Sequence, residues 1–155
     1  MSVAVLTLLC ALVSGGIGCS SNRISPPAST TPSMQDVSHE VWQLTLQLTG
    51  GLAGMDRQLD LASTGELKVN DHRRGTQAIA VASASELAQI ASMIAELKSV
   101  DVARGVCRDC IQYDLRIRLS GRSLLFTTND AGLVGTPLEP LANVLTGMLN
   151  RELSR

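Results

Sequence analysis

Cys107-Arg108-Asp109-Cys110 is the most chemically suggestive spacing in this chain. Two thiols separated by two residues make a redox couple when the first sits at a helix N-terminus, where the helix dipole stabilises its thiolate. Here a strictly alternating stretch, Ile111 to Leu119, follows instead. Nothing in that context lowers a thiol pKa, so a structural disulfide is expected rather than a redox centre. His39 and His72 are the only histidines. Neither belongs to a metal-protease helix motif, and no Cys or His spacing makes a zinc site. His72 stands between Asp71 and Arg73 in a polar stretch and reads as a solvated turn residue. No nucleophile elbow is present for serine catalysis. The expectation is a protein without catalytic residues, metal or cofactor.

Gly50-Gly51-Leu52-Ala53-Gly54-Met55 is the second chemically suggestive stretch. Glycine loops that cradle phosphate run from a strand into a helix, whose N-terminus meets the anion. This one runs into "MDRQLDL", a strand pattern, and holds no Lys for a terminal phosphate. Two readings remain open on physical grounds. The glycines form a bulge or sharp turn, or they carry Leu52 and Met55 outward as a recognition tip.

The elements that position these residues follow from periodicity. "WQLTLQLT" places Trp42, Leu44, Leu46 and Leu48 on one face of a half-buried strand. Leu59 and Leu61 continue inward after the glycine loop, and Gly65 turns the chain into "ELKVN", with Leu67 and Val69 inward. "DHRRGT" reads as a loop, and "QAIAVA" as a candidate for a further short strand. Ser83 and Glu86 make a capping box for a helix whose buried stripe is Leu87, Ile90, Ile94 and Leu97. Residues 100–108 read as a loop. "IQYDLRIRLSGRSLLFTT", Ile111 to Thr128, reads as a second hairpin that turns at Ser120-Gly121-Arg122. "NDAGLVG" reads as loop. A last helix is expected to open with Thr136 as N-cap and Pro137 at its first position, burying Leu141, Leu145, Met148 and Leu149. The expected fold is α+β, an antiparallel sheet of hairpins with two helices on one face, in the order β-β-β-α-β-β-α.

The N-terminus bears on compartment. Val3 to Val13 is an apolar run, followed by small residues and a polar tract, the order of an export signal. Gly16-Ile17-Gly18-Cys19 resembles the lipobox of bacterial lipoproteins, which implies cleavage before Cys19 and a lipid on that residue. Residues 1–18 are then the signal peptide and residues 19–37 a lipidated Ser/Pro/Thr-rich tether, with residues 38–155 the domain. The extended, proline-bearing tether can span on the order of 50 Å. Cys10 leaves with the signal and Cys19 carries lipid, leaving Cys107 and Cys110 as a pair in an oxidising compartment. The expected location is the bacterial membrane or cell surface.

A net charge of −1 gives no basic stripe for phosphate backbones. Arg116 and Arg118 would line a solvated strand face, with no aromatic residues interleaved for base stacking. Nucleic acid is therefore not expected as a partner.

"QLTLQLTGGLAGMDRQLDL" resembles the opening of emfourin-type domains, whose first strand ends in a Ser/Thr-Gly-Gly-apolar-Ala-Gly sequence. "SASELAQIASMIAEL", "IQYDLRIRLSG" and "PLEPLANVLTGML" match the helix, the Tyr-centred strand and the closing helix of that family in order, over Val41 to Leu153. The resemblance implies an inhibitor of thermolysin-like metallopeptidases. Gly50, Gly51, Leu52, Ala53, Gly54 and Met55 would form its contact loop, with Leu52 or Met55 filling the pocket that takes a large apolar side chain after the scissile bond. The competing expectation is a non-enzymatic envelope lipoprotein that binds another surface component or is structural.

Overall fold

In the computed structural model, Ser38–Arg155 forms one compact unit. The structure describes residues 40–97 and 102–155. Cys19, His39 and the signal and tether segments lie outside the described residues.

The unit is a six-stranded antiparallel sheet with its helices on one face. The strands are β1 (Gln43–Gly50), β2 (Met55–Ala62), β3 (Glu66–Asp71), β4 (Thr76–Val81), β5 (Ile111–Leu119) and β6 (Arg122–Asn129), and the helices are α1 (Ala84–Glu96), α2 (Asp130–Leu133) and α3 (Glu139–Leu153). Spatial strand order is β4-β3-β2-β1-β5-β6. Two meanders thus share β1 as a central strand. Its register places Leu44 opposite Leu61 and Ile117, and Leu46 opposite Leu59 and Leu115. One face of β1 is therefore apolar on both sides, and Leu44, Leu46 and Leu48 are buried. Ile90 and Ile94 of α1, and Leu141, Leu145, Met148 and Leu149 of α3, are buried in the same core. Replacing Leu46 by Ala at its centre would remove about 2–5 kcal/mol. Among the described residues nothing covers the opposite face of the sheet, and Thr45, Asp60 and Lys68 lie along one row of it. Polar alternation on β1 and β2 follows from that asymmetry.

The α+β class is as expected, and three details differ. A fourth strand precedes α1: β4 pairs with β3 over its full length. On it the small Ala78 and Ala80 pack against the core, whereas Ile79 and Val81 face outward. The segment read as a loop after β6 contains the short helix α2, because the Asn129 side chain accepts from the Gly132 N–H as its N-cap. Finally, α3 does not begin at Thr136. Its first residue is Glu139, with Pro140 in its first turn and Leu138 at the cap without a side-chain bond. The Thr136 hydroxyl donates instead to the Leu133 carbonyl at 2.7 Å, and Leu138 is buried. The capping box at α1 forms as expected: the Ser83 hydroxyl accepts from Glu86 N–H, and Glu86 accepts from Ser83 N–H at 2.8 Å.

Candidate functional site

The ends of β1, β3 and β6 and the starts of β2, β4 and β5 meet at one end of the sheet. This end collects the glycine loop, the turn after β3, the disulfide segment and α2.

Gly50 pairs with Met55, so the β1–β2 connection is the four-residue turn 51–54. The Gly54 N–H closes it by donating to the Gly51 carbonyl at 3.0 Å. Gly50, Gly51 and Gly54 have φ of 91°, 70° and 58°, the region where a Cβ is penalised. Neighbouring segments hold the turn from two sides. The Gly51 N–H donates to the Cys110 carbonyl at 3.1 Å, and the Arg73 guanidinium donates to the Gly54 carbonyl at 3.2 Å. At the base, the His72 N–H donates to the Asp56 carbonyl at 2.9 Å.

The glycines therefore make a sharp turn with an exposed apex. Leu52 is 91% exposed at its apex. Ala53 and Gly54 are exposed beside it. Met55 is placed differently. It lies on the inner face opposite Gly50, half-buried and packed against the core. Leu52 is thus the large apolar side chain that this turn sends outward, with the Ala53 methyl beside it.

Cys107 and Cys110 form a disulfide with Cα atoms 5.7 Å apart. The base of this segment is fastened to Asp130. One carboxylate oxygen accepts from the Ile111 N–H at 3.0 Å and the other from the Tyr113 hydroxyl at 2.9 Å. Burial, with the adjacent carboxylate adding to it, pushes the Tyr113 phenol up to about 12, so it remains a neutral donor. Asn129 fastens the preceding segment. Its side chain accepts from the Gly105 N–H at 3.0 Å and donates to the Gly105 carbonyl at 2.7 Å. These bonds hold Val106, fully exposed, at the same end as Leu52.

Beside the turn lies a shallow recess lined by Ala53, Met55, Arg57, Asp71, Arg73 and Arg74. Asp71 is the buried anchor of this corner. It accepts from Arg57 Nε at 3.0 Å and from the Arg74 N–H at 3.1 Å. Burial alone would raise its pKa, but the Arg74 N–H and the Arg57 guanidinium outweigh that and lower it. Arg57 reaches on to the Asn150 side chain at 3.0 Å, tying the sheet to α3.

The glycine loop and the cysteine pair, distant in sequence, are brought into direct contact. His72 lies exposed in the turn after β3. Among the described residues no cluster of His, Cys, Asp or Glu is arranged to hold a metal ion. The supporting residues Asp71, Arg73, Asn129 and Asp130 were not anticipated. Asp71 had a signal, since it continues the inward alternation of Leu67 and Val69. Asn129 had a local signal as an N-cap residue three before Gly132, but its bonds to Gly105, and those of Asp130 to Ile111 and Tyr113, had none, because those partners lie about twenty residues away. No protein-family model and no curated protein matches the chain.

Proposed function

We propose that this chain is a membrane-anchored bacterial lipoprotein whose emfourin-like domain inhibits thermolysin-like metallopeptidases through the Gly50–Met55 loop. The observation that carries the reading is Leu52, 91% exposed at the apex of a turn that is itself hydrogen-bonded on two sides. What supports the reading is that this aliphatic side chain is held by a fixed turn, where it can enter an apolar pocket on a partner. Burying it in a protease subsite would contribute about 1.5–3 kcal/mol. The clamps from Cys110 and Arg73 reduce the entropy lost when the loop docks. The glycines leave the backbone unshielded, so it can approach the enzyme's zinc closely. The domain itself supplies binding and no catalytic groups.

In this reading Cys19 carries the lipid, residues 1–18 are removed on export, and the tether holds the domain away from the membrane. Mass spectrometry of the mature protein tests the anchor: a chain that starts at Cys19 and bears diacylglycerol is expected, and a free Cys19 thiol refutes it. The inhibitory reading is tested by titrating a thermolysin-like peptidase with the 38–155 unit, which contains every strand and helix of the described residues and their core. Inhibition at micromolar concentration is expected. A folded unit that leaves the peptidase fully active refutes it and favours a non-enzymatic lipoprotein that offers the same tip to another envelope component, which a pull-down from envelope extract would identify.

A further inference from the structure

β4 is an open sheet edge with unusual composition. Natural edges are blunted by charges, proline, bulges or a covering segment. Thr76-Gln77-Ala78-Ile79-Ala80-Val81 has no charge and no proline, and it pairs with β3 without a bulge. Among the described residues, nothing pairs with its outer side. The other edge differs. β6 begins with Arg122, and beside its far end the segment at Ala103 and Gly105 is bonded to Thr128 and Asn129.

The hydrogen-bond phase of β4 follows from one contact. The Ala82 N–H donates to the Gly65 carbonyl at 2.9 Å, which makes Gly65 and Ala82 a hydrogen-bonded pair just beyond the strand. Antiparallel pairs alternate between bonded and non-bonded. Ala80 and Ala78 therefore direct their N–H and C=O groups toward β3. Gln77, Ile79 and Val81 direct theirs toward the open edge. Their side chains stand on the open sheet face, where Ile79 is 69% and Val81 82% exposed.

The geometry points to a second copy of this chain as the occupant of that edge, with β4 pairing antiparallel to β4 about a two-fold axis at Ile79. The strand is self-complementary about this residue: Ala78-Ile79-Ala80 reads the same in both directions. In this register Ile79 faces Ile79 and Gln77 faces Val81, and these are the residues whose backbone groups are free. Each pair exchanges both its N–H···O bonds. Ala78 faces Ala80 on the inner side. The axis stands perpendicular to the sheet, so apolar face continues into apolar face and helices stay on one side. The exposed Ile79 and Val81 side chains form an unbroken cross-strand row, the unit that stabilises a sheet. No like charges meet at the seam.

Sedimentation of the 38–155 unit tests the pairing. A monomer–dimer equilibrium is expected in the micromolar range. Ile79→Lys sets two ammonium groups opposite each other on an exposed face. It should return the protein to monomer with an unchanged circular dichroism spectrum. Ile79→Cys supplies the positive test. Hydrogen-bonded antiparallel partners have Cα atoms about 5.5 Å apart and Cβ atoms at about that spacing, wider than the roughly 3.5–4.5 Å of a disulfide, so a short bis-maleimide that spans two thiols should give a covalent dimer. A native unit that stays monomeric at high micromolar concentration overturns the inference. So does a dimer that survives Ile79→Lys, or one that forms no cross-link in the Ile79→Cys variant. A monomer that instead takes an added extended peptide along β4 overturns it in favour of a foreign strand. None of these outcomes bears on peptidase inhibition, because β4 flanks the sheet and Leu52 tips its end.

Discussion

The backbone N–H of Gly51 donates to the carbonyl oxygen of Cys110 at 3.1 Å, so the disulfide segment forms one wall of the turn that carries Leu52. The bond uses main-chain atoms, and a Cys110→Ser exchange leaves both in place. What changes is the freedom of the carbonyl that accepts. In the double variant Cys107→Ser, Cys110→Ser, closure of this short loop is lost from the unfolded-state constraint, about 2 kcal/mol in the chain-entropy picture. A lower melting temperature is expected. Faster hydrogen exchange of the Gly51 amide than in the native protein is expected as well, under conditions where the core amides of β1 still exchange slowly. Unchanged Gly51 protection would show that the wall does not depend on the disulfide.

Gly50 and Gly121 separate conformational strain from collision. Both have positive φ, 91° and 86°. A Cβ on Gly121 would meet nothing within 4 Å, whereas one on Gly50 would stand 2.9 Å from the Cys110 carbonyl oxygen. Gly121→Ala should cost about 1–2 kcal/mol from backbone conformation alone. Gly50→Ala carries that cost and a backbone clash that must push β1 and the disulfide segment apart. Its urea midpoint should fall well below that of Gly121→Ala. Equal midpoints would show that the contact relaxes without cost.

The parts of the fold that could be read beforehand are those where one strong local pattern agrees with its tertiary surroundings. Trp42 to Leu48 alternates without a break because β1 is central and one of its faces is covered. Ser83 and Glu86 cap α1 through contacts three residues apart. β4 was harder, since its large apolar residues face outward and its alanines face the core, the reverse of the usual signal. Thr136-Pro137 imitates a helix start, but burial of Leu138 and the Thr136 bond to Leu133 use that segment as a turn. In the candidate site, the glycines announce a turn, and nothing local distinguishes Leu52 from Met55. Only the register of Gly50 with Met55 sends one outward and the other inward.

That register makes the two residues opposite probes. Leu52→Asp alters a side chain that touches almost nothing, so the melting temperature should stay within the scatter of surface substitutions, about 0.5 kcal/mol. Inhibition of a thermolysin-like peptidase should be lost. Met55→Asp places a carboxylate among core residues and should destabilise the domain by several times as much. If Leu52→Asp inhibits as well as the native domain, the contact surface lies elsewhere.

The ends of the two long helices predict an acid-sensitive link. Arg151, in the last turn of α3, meets Glu86, in the first turn of α1, at 2.7 Å. Each charge suits the dipole of its own helix end. Arg151 first, then the Ser83 N–H and hydroxyl, lower the Glu86 carboxyl from 4.5 to about 2. A depressed carboxyl binds its proton more readily in the unfolded chain. The contribution is therefore complete above the unfolded value of 4.5 and disappears as pH falls through about 2. Glu86 and Arg151 are partly exposed, so solvent screening reduces the link to about 1 kcal/mol. Glu86→Gln should be less stable than the native domain by that amount at neutral pH, as measured by urea unfolding. The gap should narrow as pH drops below 4.5 and close near 2. A gap that stays constant across this range would assign the effect to the capping hydrogen bonds and not to the charge.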